Sequence, residues 1–277
     1  MNQIRKILYK VAALAAFSII QGQIPEFQPL ISITITNHPP VVEWDRIAVN
    51  PLKDIYLLDK ETGIIIRLDA MGNIRNESGG IGYDDLSFSD PIDIATNGLE
   101  LIVSDKMANT IAWFDRKLQP ISKERHTEVY PDQLVSDVSG NVFLLSRDRG
   151  LIWRRNLSDW DPVKFIDLFV NDYPSECIRD LSTNATGNLG LLYCNGRIIE
   201  YSATGRIVKN YILSIPNATS LIPFKNRWLA LGNKGQYEDV EISSGTGKFP
   251  LENPVDTAVS NQVIYMLANN HIYVFAQ

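Results

Sequence analysis

Histidine and cysteine are scarce in this chain, with three and two residues among 277. A zinc lyase needs several convergent imidazoles, and His38, His126 and His271 are too widely spread in the sequence to be expected to meet. A Gly-x-Ser-x-Gly nucleophile elbow is also missing. Clustered positive charge is lacking too. The formal net charge is −6, and phosphate contact needs a basic field, so no nucleic-acid partner is expected. The one long apolar run, Val11–Ile20, falls short of the roughly 20 residues that span a bilayer. No Cys follows that run, which excludes a bacterial lipoprotein anchor.

What precedes the run gives it a meaning. Arg5, Lys6 and Lys10 make a positive n-region, and Gln21-Gly22-Gln23 follows the apolar stretch. This is the layout of a secretory signal peptide covering residues 1–22, with cleavage after Gly22. An uncleaved interfacial helix is the alternative, because Ile20 is not the small residue preferred at its place. Export to the periplasm or the exterior is the expectation, with no integral membrane segment left after signal removal. The remainder, 23–277, has an ordinary globular composition, 45% apolar and 21% charged over the whole chain.

The sequence then repeats itself. Asp54–Asn73 (DIYLLDKETGIIIRLDAMGN) and Glu100–Leu118 (ELIVSDKMANTIAWFDRKL) share a pattern of strand, polar turn opened by Asp, second strand, Asp and turn. The frame returns at 131–156, 177–207, 218–242 and 254–277. The apolar anchors of its first strand are Ile47, Ile94, Leu134, Leu181, Leu221 and, most weakly, Thr257, in steps of 47, 40, 47, 40 and 36 residues. A period near ~40–45 residues with four short strands per unit is the mark of a β-propeller. Runs such as VFLLS (Val142–Ser146) and LGLLY (Leu189–Tyr193) lack the polar alternation of a half-exposed sheet. Strands covered on both faces by neighbouring blades lose it.

The last unit has only three strands, whereas Phe27–Thr36 alternates as an edge strand and lies ahead of the first unit. The expected architecture is therefore an all-β, six-bladed β-propeller of four-stranded antiparallel blades, its last blade completed by the N-terminal strand 27–36. PIDIA (Pro91–Ala95), LIVSD (Leu101–Asp105) and TIAWFD (Thr110–Asp115) resemble the NHL-repeat consensus. That resemblance implies a six-bladed propeller but no single activity, since the family includes binding scaffolds, amidating lyases and relatives of gluconolactonases.

The two 47-residue steps place extra residues on one face, in Glu77–Asp90 (ESGGIGYDDLSFSD) and Phe169–Glu176 (FVNDYPSE). Long loops on a rigid scaffold are where recognition usually resides. Tyr83, Asp84, Asp85, Arg147, Arg149 and His271 are the candidate ligand-binding residues of that face, the alternative being solvated turn residues. The residues just before the six anchors are Arg46, Asp93, Gln133, Asp180, Ser220 and Asp256. Acids thus occupy alternate blades near the channel mouth. Asp93, Asp180 and Asp256 could hold Ca²⁺, which favours oxygen ligands; the competing reading is that they accept backbone amides of the neighbouring loop.

Cys177 and Cys194 flank a hairpin turning at Asn184–Gly187. Pairing Thr183 with Asn188 sets the two cysteines opposite each other, so a disulfide is expected, with packed free thiols as the alternative. The functional expectation is a non-enzymatic binding or scaffold module that recognises a protein or glycan through the long-loop face. A metal-dependent, lactonase-like hydrolase or lyase with its site at the channel mouth is the alternative. An exposed apolar patch around Tyr83, Leu86 and Phe88 would favour binding.

Overall fold

A computed structural model describes residues 27–35, 43–84, 86–156, 161–170, 177–225, 227–242 and 245–276. The expected signal peptide, His38, Asp85 and most of the second long loop lie outside them. Among the described residues no helix is long and apolar enough to cross a membrane.

Six four-stranded antiparallel sheets make up the molecule. The innermost strands, which line the axis, are Arg46–Val49, Pro91–Asn97, Gln133–Ser136, Ile178–Thr183, Ala218–Phe224 and Asp256–Ser260. Each carries one of the six anchors. The architecture is the six-bladed propeller expected from the period. Blade 6 takes its outer strand from the N-terminal side: Ile31–Thr34 pairs with His271–Ala276, Ile31 facing Val274 and Thr34 facing His271. The strand is shorter than the 27–36 segment that supplies it.

The middle strands are buried for the reason anticipated. Val142–Ser146 and Leu189–Tyr193 are buried at every position, because both faces of each blade pack on neighbours. Six apolar clusters result, one at each junction. The cluster between blades 5 and 6 also includes Phe27, whose ring stacks on Phe249 at 4.5 Å and meets Phe224 and Tyr237 edge-on at 5.6 and 5.3 Å. Ring closure is therefore both a strand addition and an aromatic plug.

Turn chemistry is equally local. Asp69, Asp115 and Asp137 each accept the amide two residues on, from Met71 (2.9 Å), Lys117 (2.8 Å) and Ser139 (2.8 Å). A short carboxylate side chain reaches its own backbone in this way and fixes the turn. Asp59 does the same for Glu61 at 2.9 Å.

Candidate functional site

The connection between blades 1 and 2 is the best-defined feature of the long-loop face. It begins at Gly80 rather than at Glu77, because Glu77, Ser78 and Gly79 complete the outer strand of blade 1 opposite Ile66, Ile65 and Ile64. Gly79 has φ +88° and lies so close to Gly63 that an added Cβ would collide with the Gly63 carbonyl oxygen. From there the loop is tied at many points. The Gly80 amide donates to Gly63 O at 2.8 Å, the Phe88 amide to Gly80 O at 2.8 Å, and the Gly82 amide to Phe88 O at 3.1 Å.

Its return limb is anchored from blade 2. Asp105 accepts the amides of Ser89 (2.6 Å) and Asp90 (3.1 Å), and Lys123 Nζ donates to Ser87 O at 2.6 Å. Asp84 closes the tip by accepting the Ser87 hydroxyl at 2.6 Å and the Leu86 amide at 3.0 Å. The Ser87 hydrogen bond, helped by the amides of Leu86 and Ser87 and opposed by burial, holds the Asp84 carboxyl below the usual carboxylate range. Phe88, expected in an exposed patch, is instead 1% exposed and packs near Phe114. It is the root of the loop. The patch belongs to Ile81, Tyr83 and Leu86, which are 53%, 106% and 42% exposed.

The channel mouth is built differently. A cavity of about 260 Å³ runs between the six inner strands. Asp93 accepts the Leu134 amide at 3.0 Å, Asp180 the Leu221 amide at 2.6 Å, and Asp256 the Ile47 amide at 2.8 Å. Each acid of an even blade thus receives the amide of the next blade's anchor residue. Among the described residues no three His, Cys, Asp or Glu side chains form a group that could hold a metal ion.

Arg46 supplies the positive charge, with Nε 3.1 Å from Asp93. Burial works against that charge, but the carboxylates of Asp93, Asp256, Asp45 and Asp180 outweigh it and raise the arginine pKa. Burial raises the acids too: Asp180 is pushed up to about 6 and Asp256 to about 7, while Asp93 rises in spite of Arg46. The mouth can exchange protons near neutral pH, yet its carboxylates are already engaged in joining blades. Sequence reasoning missed Arg46, although it is the one base in the column of residues preceding the anchors. Lys123 was missed with no signal to find it.

The remaining candidates lie on blades 3 and 6. Arg147 on blade 3 donates from Nε and Nη2 to Ile178 O at 3.2 and 3.0 Å, and its amide donates to Asp132 at 2.7 Å. It bridges blades 3 and 4. The Arg149 guanidinium stacks over Tyr130 at 5.2 Å, and His271 of blade 6 donates from Nδ1 to Asn269 O at 2.9 Å. His126 lies on the periphery, buried, with its nitrogens 3.8 Å from Glu124 and 3.7 Å from Asp161. Burial depresses its pKa against the pull of those acids.

Cys177 and Cys194 are disulfide-bonded, with Cα atoms 5.4 Å apart. The hairpin register behind them differs from the simple expectation. Thr183 faces Leu189 rather than Asn188, and a bulge between Ile178 and Asp180 shifts the pairing back so that Ile178 faces Tyr193. Two offsets of one residue cancel.

No protein-family model matches the chain, and no curated protein does. Solved structures show the fold. A streptogramin B lyase superposes with a TM-score of 0.60 at 13% identity, over 88% of this chain and 97% of that one. A catalytically inactive histidine-to-alanine variant of virginiamycin B lyase from Staphylococcus aureus, solved with quinupristin, gives 0.63 at 12% identity, over 87% and 83%. The extracellular domain of a B. thetaiotaomicron protein described as a one component system gives 0.57 at 13%, over 84% of this chain and 33% of that one.

Proposed function

We propose that this chain is an exported binding module of the NHL-repeat type that engages a protein partner through the 80–90 loop. The observation that carries the reading is the loop itself: Ile81, Tyr83 and Leu86 stand exposed on a segment tied to blade 1 at Gly80 and to blade 2 at Ser87, Ser89 and Asp90. Holding a contact residue in place beforehand removes the ordering cost that binding otherwise bears. Aromatic side chains commonly carry the largest share of interface energy. The two aliphatic neighbours favour an apolar protein surface over the hydroxyls of a glycan. Export is supported by the n-region and apolar run at the N-terminus and by the disulfide, which persists in an oxidising compartment.

A lyase or hydrolase at the channel mouth has less in its favour, because Asp93, Asp180 and Asp256 already accept inter-blade amides. The test compares capture from a panel of exported proteins and glycans by three forms: wild type, Tyr83→Ala, and the double variant Asp180→Asn/Asp256→Asn. Loss of a protein partner in Tyr83→Ala alone is expected. A partner lost only in the channel variant overturns the reading, and a retained glycan in place of a protein changes its class.

A further inference from the structure

Every blade of a propeller ends in an outermost strand whose outer edge offers unpaired backbone groups, a hazard that proteins blunt with charge, proline or shortness. Five of the six edges here are blunted. Blade 1 ends in Ile74–Gly79 with Arg75 and Glu77, blade 2 in Pro120–Arg125 with three charged residues and a proline, and blade 3 in Val163–Asp167 with Lys164 and Asp167. Blade 5 ends in the three residues Thr246–Lys248, and blade 6 in the four residues Ile31–Thr34 just after Pro29.

Blade 4 is the exception. Its outer strand, Ile207–Ile212 (IVKNYI), is six residues long with no proline. Ile207, Val208 and Ile212 are 46%, 48% and 74% exposed. Its one charge, Lys209, pairs with Glu241, as Arg75 of blade 1 pairs with Asp69, but the strand of blade 1 carries a second charge in Glu77. A bulge sits at Val208, between the pairs Glu200–Lys209 and Tyr201–Ile207, and leaves Lys209–Ile212 in regular register. Outer strands of blades 1, 2 and 3 bulge as well, so that feature does not set blade 4 apart.

We infer that the outer strand of blade 4 is a self-association edge, which pairs antiparallel with the same strand of a second copy of this chain. Symmetry and charge select the register. Two identical antiparallel strands related by a two-fold axis place one residue opposite itself, with its neighbours paired symmetrically around it. Centring on Lys209 would set two ammonium groups face to face, which is destabilising. Centring on Asn210 sets Lys209 against Tyr211, opposes no like charges and brings Ile212 to the end of the strand where the bulged, exposed Val208 lies. Centring on Tyr211 would set Asn210 against Ile212 and lose the apolar match. The surface is remote from the 80–90 loop in the chain and independent of any partner bound there. An edge of this length buries little area, so the association is weak and concentration-dependent.

Sedimentation equilibrium of the full mature chain over a concentration series should show monomer passing to dimer. Val208→Lys should weaken that association about tenfold through the lost apolar contact and added charge, while leaving the melting temperature unchanged. Asn210→Cys, under mild oxidation, should form a covalent dimer, because only the residue on the two-fold meets itself; Lys209→Cys and Tyr211→Cys should not. A monomer at every concentration, a dimer indifferent to Val208→Lys, or equal crosslinking by the three cysteine variants would each overturn the assignment.

Discussion

The axis and the rim of the ring hold blades together by opposite means. At the axis, the carboxylate of Asp256 in blade 6 accepts the Ile47 amide of blade 1 at 2.8 Å, beside a hydrogen bond from Ser260 Oγ to Asn50 O at 3.0 Å. At the rim, the last blade is completed by a strand from the other end of the chain, and Phe27 packs into the rings of Phe224, Tyr237, Phe249 and Phe275. Apolar contact has no preferred direction and grows with the area buried, so the rim contributes cohesion. A carboxylate facing one particular amide contributes placement, and its charge responds to pH. The difference divides the labour: stability should reside at the rim and titration at the axis.

The comparison is most easily broken at Phe27. Phe27→Ala should cost about 3–5 kcal/mol, the range for emptying a buried aromatic site, measured by urea unfolding. Removing residues 23–36 altogether should uncover the edge of the last blade and give aggregated protein. A Phe27→Ala loss smaller than that of the axial variants below would reverse the assignment of roles. Next comes the covalent tie: Cys177→Ser/Cys194→Ser should lose about 3 kcal/mol by the loop-closure estimate, seen as a lower melting temperature that reductant no longer affects.

Axial substitutions should act less strongly. Asp256→Ala strips the acceptor from the buried Ile47 amide and should cost about 1–3 kcal/mol. Their clearer signature is in pH. Asp180 and Asp256 titrate near 6 and near 7 when folded, against about 4 for an exposed aspartate. The folded protein therefore holds protons that the unfolded chain has released. The stabilisation this brings is fully present below about pH 4 and is lost as pH rises through 6 and then 7. Wild type should lose stability between about pH 4 and 7 relative to Asp180→Asn/Asp256→Asn, and parallel pH profiles for the two would refute it. The smallest effect is expected from calcium. Melting in calcium and in chelator should coincide, whereas a calcium-dependent rise abolished by Asp180→Asn would restore a metal role to the mouth.

The period and the missing strand carried the architecture because both are properties of spacing. Anchors such as Ile94 and Leu181 recur where inner strands must recur. The role of the acids was partly legible, since Asp93, Asp180 and Asp256 stood in one column, but their partners were not. Bulges just ahead of Asp93 and Asp180 re-aim those side chains, and an extra residue in one strand leaves no trace in a hydrophobicity pattern. The same bulge explains why the cysteine pairing came out right from a hairpin register that was off by one. Phe88 was misplaced because nothing local separates a buried loop root from its exposed tip; Ile65 and Phe114, which cover it, are distant in the chain.

One consequence of the alternating mouth concerns how such a ring can change size. Acid acceptors occur in blades 2, 4 and 6 and the anchor amides that donate to them in blades 3, 5 and 1, and the anchor steps of 47, 40, 47 and 40 alternate with them. The natural unit of duplication or loss is thus a pair of blades, not one. Excising a single blade would seat two acid-bearing blades or two acid-less blades side by side, whereas removing a pair would leave every remaining junction matched. Parity is a constraint that this axis places on the descendants of its own sequence.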